Sequence, residues 1–216
     1  MTPAASWGRA VRAALPPLAL AVGLVLLGEV LLYRLPWSKE PLDLVGENGR
    51  LEWGQMVFLV GFGLTMAAIA ARFARVRPLA VLLAGLAAAV LVREQNNVLK
   101  DHVGHGVWQA LVAGIVAVSV ALAWPSRRHL PGAVLDLLGR PAAGLLMAAV
   151  AVFAYAQLFD ELTLWRFLLG RDEVPYAARR VTEEGVELAA YVLAFAAAVA
   201  WRAGLARSGP PGEHVA

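Results

Sequence analysis

Long apolar runs, broken at intervals by short polar clusters, organise this chain. Six of them approach the roughly 20 residues that a helix needs to cross the hydrocarbon core: about 14–35, 51–73, 78–99, 107–124, 141–164 and 182–201. They predict an all-α fold, a polytopic membrane helix bundle with about six transmembrane helices and both termini on one side. The first run follows Arg9 and Arg12, as a secretion signal would. It exceeds 20 residues and no A-x-A site follows it, so it is read as a retained helix. Gly61, Gly63, Gly85, Gly114 and Gly144 fall inside the runs and let helices pack closely in lipid. Residues 1–207 are expected to form a single transmembrane domain, and 208–216 a disordered tail.

Composition narrows the class further. Of 216 residues, 60% are hydrophobic and 16% charged, against about 45–50% and 25% in soluble domains, which excludes most soluble classes and intrinsic disorder. The chain has no Cys. Disulfide scaffolds, thiolate zinc sites, iron–sulfur clusters and cysteine nucleophiles are thereby excluded together, leaving His and carboxylates as the strong metal ligands.

The net charge of +3 acquires meaning once divided between faces. The segments at 1–13, 72–77, 125–140 and 202–216 hold ten Arg against Asp136 and Glu213, a balance of +8. The opposite face holds nine Arg or Lys against 14 carboxylates, a balance of −5. By the positive-inside rule the basic face is cytoplasmic, predicting a bacterial inner membrane protein whose acidic face meets the periplasm or exterior. Basic residues then serve insertion and contact with lipid headgroups, and nucleic acid is not an expected partner.

Intramembrane carboxylates cost about 2.5–3.5 kcal/mol each at a helix centre on insertion scales, so their convergence is informative. Glu52 and Gln55 open the second run. Glu94, Asn97, Asp101, His105 and Trp108 would share one stripe if the third run stayed helical, with His102 one step aside. Asp160 and Glu161 end the fifth run, and Glu183, Glu184 and Glu187 begin the sixth, with Tyr191 one turn on. Glu29 lies near the outer end of the first. Alternating helix direction brings all of these to the acidic face.

Two readings compete. In the structural one, Glu183 and Glu184 follow a Thr182 N-cap and complement the helix dipole, as Glu52 does in its own first turn. Arg34, Arg50, Arg93, Lys100 and Arg166 then neutralise the rest, and Trp37, Trp53, Trp108 and Trp165 form an aromatic belt. In the functional one, His102, His105, Asp101, Glu184 and Glu187 bind a divalent metal, zinc before iron or manganese. Glu52, Glu94 and Glu187 then supply acid–base catalysis on a lipid-like substrate entering from the bilayer. A proton- or cation-coupled transporter and a non-catalytic assembly subunit are the alternatives. The segment 166–180 is amphipathic and is expected to lie along the interface as a lid.

The elements E-N-G-R-L-E-W (47–53), R-E-Q-N-N (93–97) and E-E-G-V-E-L (183–188) resemble those of a loose group of bacterial multipass proteins. That group carries an E-D/N-G-x-x-E element, an R-E-x-D/N element and a late E-E-x-x-E element, and the resemblance implies a shared polar site. In style, the combination of acidic residues and histidines at one face is distantly similar to alkaline-ceramidase-like membrane hydrolases, from which this chain departs in having no late H-x-x-x-H.

Overall fold

The computed structural model describes residues 49–170 and 176–208. The first apolar run, Glu29, Arg34 and Trp37, and the tail from residue 209, lie outside the described residues. Within them the fold is all-α, a polytopic bundle with five helices long and apolar enough to cross a membrane. In chain order the α-helices of the described residues are α1 (Arg50–Arg72), α2 (Arg77–Glu94), α3 (Asn96–His102), α4 (Val107–Ala123), α5 (Leu130–Leu138), α6 (Pro141–Asp160), α7 (Leu162–Leu169) and α8 (Tyr176–Arg207). Short 3₁₀ turns at Ala74–Val76 and Trp124–His129 join α1 to α2 and α4 to α5.

The boundaries follow from local chemistry. Pro78 and Pro141 sit in the first turns of α2 and α6, where the missing N–H is not needed. Gly104 and Gly106 adopt φ of 134° and 85°, which L side chains rarely take. They turn the chain from α3 into α4. Gly170, at φ 61°, stops α7 in the left-handed conformation of a helix C-terminus.

α8 is the centre of the bundle. It packs on α6 and α1, α1 packs on α2, and α2 packs on α4. Half of its most apolar window is buried, against 11% for the segment that begins with α4. The core joins Leu59, Phe62, Met66 and Ile69 of α1 to Tyr191, Ala198, Trp201 and Leu205 of α8, with small residues of α2 and α6 between. Lipid is as apolar as these side chains, so close packing rather than hydrophobic transfer holds the helices together. Two contacts depend on glycine: the Phe195 ring lies over Gly61, and Ser119 of α4 sits where a Cβ on Gly85 of α2 would stand.

The basic end is closed by a clasp around Asp136 of α5. Arg140 Nε and Nη2 each donate to this carboxylate at 2.8 Å, the buried Trp201 indole donates at 3.1 Å, and Arg75 stands 3.6 Å away. Arg140 Nη2 also donates to Ser208 Oγ. One carboxylate thus joins α5, the α1–α2 turn and the last turns of α8.

Three expectations are corrected. The third run does not remain one helix, because Gln95 interrupts it at φ −88°, ψ 15° and the chain turns again after His102. The stripe from Glu94 through His105 to Trp108 is therefore broken. The fifth run ends at Asp160, and Glu161 (ψ 109°) caps the separate helix α7 by accepting from the Thr163 N–H. The sixth helix begins at Tyr176, so Thr182 is interior, its hydroxyl donating to Ala178 O. Glu183 and Glu184 lie beyond the first turn, where the dipole effect has faded.

Candidate functional site

Glu52, Arg93, Glu94, Asn96, Trp108, Arg180, Glu183, Glu184 and Glu187 line a cavity of about 220 Å³ at the acidic end. Four segments meet there: the first turn of α1, the junction of α2 with α3, the start of α4, and the second to fourth turns of α8. Opposite chain directions of neighbouring helices bring these ends together, as the alternation of runs predicts.

Two of the three α8 carboxylates in the lining are each held by a glutamine of a neighbouring helix. Gln55 of α1, 1% exposed, donates from Nε2 to Glu184 Oε2 at 2.7 Å and to Glu184 O at 3.0 Å. Gln157 of α6 donates to Glu187 Oε1 at 2.8 Å. Tyr191 donates its hydroxyl to Glu94 Oε1 of α2 at 3.1 Å, and its ring packs on Phe153. Glu183, Glu184 and Glu187 are 8%, 4% and 6% exposed. Carboxylates so buried need hydrogen bonds or counter-charge.

Arg180 supplies the counter-charge. Its guanidinium contacts Glu184 and lies 3.6 Å from Glu183 and 3.7 Å from Glu52. Arg93 stands 3.6 Å from Glu94. With all groups ionised, five carboxylates face two guanidiniums, an excess of three negative charges in the lining. Oε2 of Glu183 is buried without a hydrogen bond. Protons or a bound cation must offset that excess, and the acceptors the wall offers are carboxylate oxygens.

Of the sequence-predicted site residues, the structure brings Glu52, Glu94, Glu184 and Glu187 together. It does not add His102, His105 and Asp101, which are exposed on the last turn of α3 and the following turn and stand outside the cavity lining. Among the described residues no group of three or more His, Asp or Glu side chains is arranged to hold a metal ion. Lys100 and Arg166 are exposed. Asp160 pairs with Arg179 at 3.2 Å, at the edge of the site.

Arg180 is the residue that sequence reasoning missed. It precedes Glu183 and Glu184 by three and four positions, a helical spacing, but a helix begun at Thr182 leaves it in a loop. The signal was the R-x-x-E-E spacing itself. Gln157, set among apolar residues inside the fifth run, seven positions before its expected end at 164, was a second polar signal.

Outside the cavity, Glu161 accepts from Thr163 Oγ1 at 2.8 Å and from Thr163 N at 3.2 Å. The hydroxyl bond first, then the backbone bond, holds its carboxyl below the usual carboxylate range.

No protein-family model, curated protein or solved structure matches the chain. Function must be argued from the site.

Proposed function

We propose that the protein binds a cation in its acidic cavity at one face of a bacterial cytoplasmic membrane, and uses it as a membrane-embedded enzyme on a lipid-like substrate. The observation that carries this reading is the excess of buried carboxylates over guanidiniums in one small cavity. Such groups are costly in a bilayer and mark functional sites by default.

The donor set shapes the cation. Oxygen ligands suit Mg²⁺, Mn²⁺ or Ca²⁺, whereas zinc favours nitrogen and sulfur. The histidine pair stands outside the lining, which supports a hard divalent cation over the zinc expected from H-x-x-H. Glu94 and Glu187 are the residues best placed to face it, since Tyr191 and Gln157 each donate to one oxygen and leave the second to the cavity or its neighbours. A bound cation would polarise a carbonyl or water, and a neighbouring carboxylate would move the proton. Arg72, Arg75, Arg77, Arg127 and Arg128 at the opposite end support an acidic mouth facing outward.

Transport finds less support. Segments 56–71, 79–92, 110–123, 142–156 and 192–201 contain no Asp, Glu, Lys, Arg or His, and a path for ions needs polar steps at that depth.

Equilibrium dialysis of detergent-purified protein against Mn²⁺, Mg²⁺ and Zn²⁺ tests the reading. Wild type should bind Mn²⁺ or Mg²⁺, and the double variant Glu94→Gln/Glu187→Gln should lose at least about tenfold in affinity, or about 1.4 kcal/mol. His102→Ala/His105→Ala should bind as wild type does. A wild type that binds none of the three, or binding abolished by the histidine variant while its circular dichroism is unchanged, overturns it.

A further inference from the structure

The lining of the acidic cavity carries an excess of three negative charges with all groups ionised. A divalent ion offsets two of them, and a monovalent cation closes the balance. Glu183 marks its place. The residue is 8% exposed and lines the cavity, yet its buried Oε2 accepts no hydrogen bond from the described residues. Arg180 Nη1 stands 3.6 Å away, close enough for charge and too far for a hydrogen bond. A proton on that oxygen would only exchange an unpaired acceptor for an unpaired donor. On the basis of the cation reading above, we infer that Glu183 and Trp108 hold the primary ammonium group of the lipid-like substrate, beside the divalent cation.

Further features select an ammonium-bearing lipid. A primary ammonium presents N–H donors around a compact charge, so it can donate to Oε2 of Glu183, whereas a trimethylammonium has none to give. Trp108 is half-buried in the same lining, and an indole within about 6 Å attracts a cation, most strongly where water is excluded. At about 220 Å³ the cavity is smaller than the roughly 300–1,000 Å³ of pockets that enclose a drug-sized molecule. It has room for a headgroup and not for a whole lipid. The cavity also lies at the ends of the spans, where Trp53, the neighbour of Glu52, is 59% exposed. Tryptophan is enriched at the level of the lipid headgroups, so a molecule held there by its amine keeps its apolar remainder in the bilayer.

Tritiated dodecylamine tests the assignment in a scintillation proximity assay on the full chain, immobilised in an uncharged detergent with Mn²⁺ present. Wild type should bind it saturably, at one molecule per chain. Unlabelled dodecyltrimethylammonium should compete at least about tenfold more weakly than dodecylamine, since it cannot hydrogen-bond to Glu183. Methylamine, which lacks the apolar tail, should compete at least about tenfold more weakly as well. Glu183→Gln should lose about tenfold in amine affinity while still binding Mn²⁺ in equilibrium dialysis, and Trp108→Leu should lose about threefold or more.

Uptake that does not saturate, or that both variants leave unchanged, assigns dodecylamine to the micelle and overturns the inference. Equal competition by dodecyltrimethylammonium overturns the hydrogen bond to Glu183. Equal competition by methylamine overturns the lipid as the source of the amine. Both competitors are read on wild type, so neither result depends on a variant folding. A wild type that binds Mn²⁺ but not dodecylamine overturns this inference alone, whereas one that binds dodecylamine but no divalent ion overturns the metal and keeps the ammonium site.

Discussion

Arg180 stands one turn before Glu184 on α8, and its guanidinium rests on that carboxylate inside the acidic end of the bundle. An arginine placed N-terminal to its glutamate gains nothing from the helix dipole, which favours the reverse order. The pair is held instead by its surroundings, with Glu52 and Glu183 on the same guanidinium and Gln55 on the far oxygen of Glu184. Removing the cation alone leaves buried carboxylates uncompensated. Arg180→Met should destabilise the protein by about 3–5 kcal/mol, read as a lower midpoint of thermal unfolding in detergent. Adding Glu184→Gln should return much of that loss, and a single variant that melts with wild type would remove Arg180 from the structural account.

The α2–α4 contact makes a sharper steric test. A Cβ on Gly85 would overlap Ser119, whose hydroxyl donates to Ile115 O. Gly85→Ala should therefore separate the two helices and cost about 1–3 kcal/mol, as overpacking does. Gly144→Ala is the control, because nothing lies within 4 Å of that position. It should be neutral or stabilising by up to about 1 kcal/mol through helix propensity. Equal melting of the two variants would contradict the close approach.

At the basic end, Asp136 gathers charge-assisted bonds from Arg140 and one bond from the Trp201 indole. Asp136→Asn should cost about 1.5–3 kcal/mol, and Trp201→Phe, losing one hydrogen bond as well as ring volume, at least about 1 kcal/mol. Because both act on one network, the double variant should lose less than the sum. Strict additivity in a double-mutant cycle would show that the two residues stabilise the end of α8 separately.

Much of this architecture was legible in the sequence. The second, fourth and fifth runs begin within about a residue of α1, α4 and α6, because twenty apolar residues in a row leave few alternatives. Helix ends were read less well. The start of α8 is amphipathic and rich in Arg and Glu, so apolarity places it six residues late, and with that error Arg180 disappears from the site. The convergence of Glu52, Glu94, Glu184 and Glu187 followed from topology alone. The separation of His102 and His105 from them did not, since it depends on the interruption at Gln95 and on two left-handed glycines.

Glu161 gives a pH dependence with a defined sign. Its folded-state pKa is depressed by the two Thr163 bonds, so its contribution is present above the unfolded value of about 4.3 and is lost as pH falls through the lower folded value. Amide exchange at the N-terminus of α7, taken relative to the intrinsic rate at each pH, should accelerate over that acid window and stay constant above it. In Glu161→Gln the acceleration should disappear; its persistence would assign the effect to another group.

The apolar band in the middle of all five spans also constrains how any ligand comes and goes. Among the described spans no charged or histidine residue lies between the acidic cavity and the Asp136 clasp, so these helices offer no polar path from the cavity to the basic end. A water-soluble ligand would then enter and leave on the acidic side. In sealed vesicles the protein should be sided, sensitive to an impermeant blocker on its acidic face and indifferent to the same compound on the other.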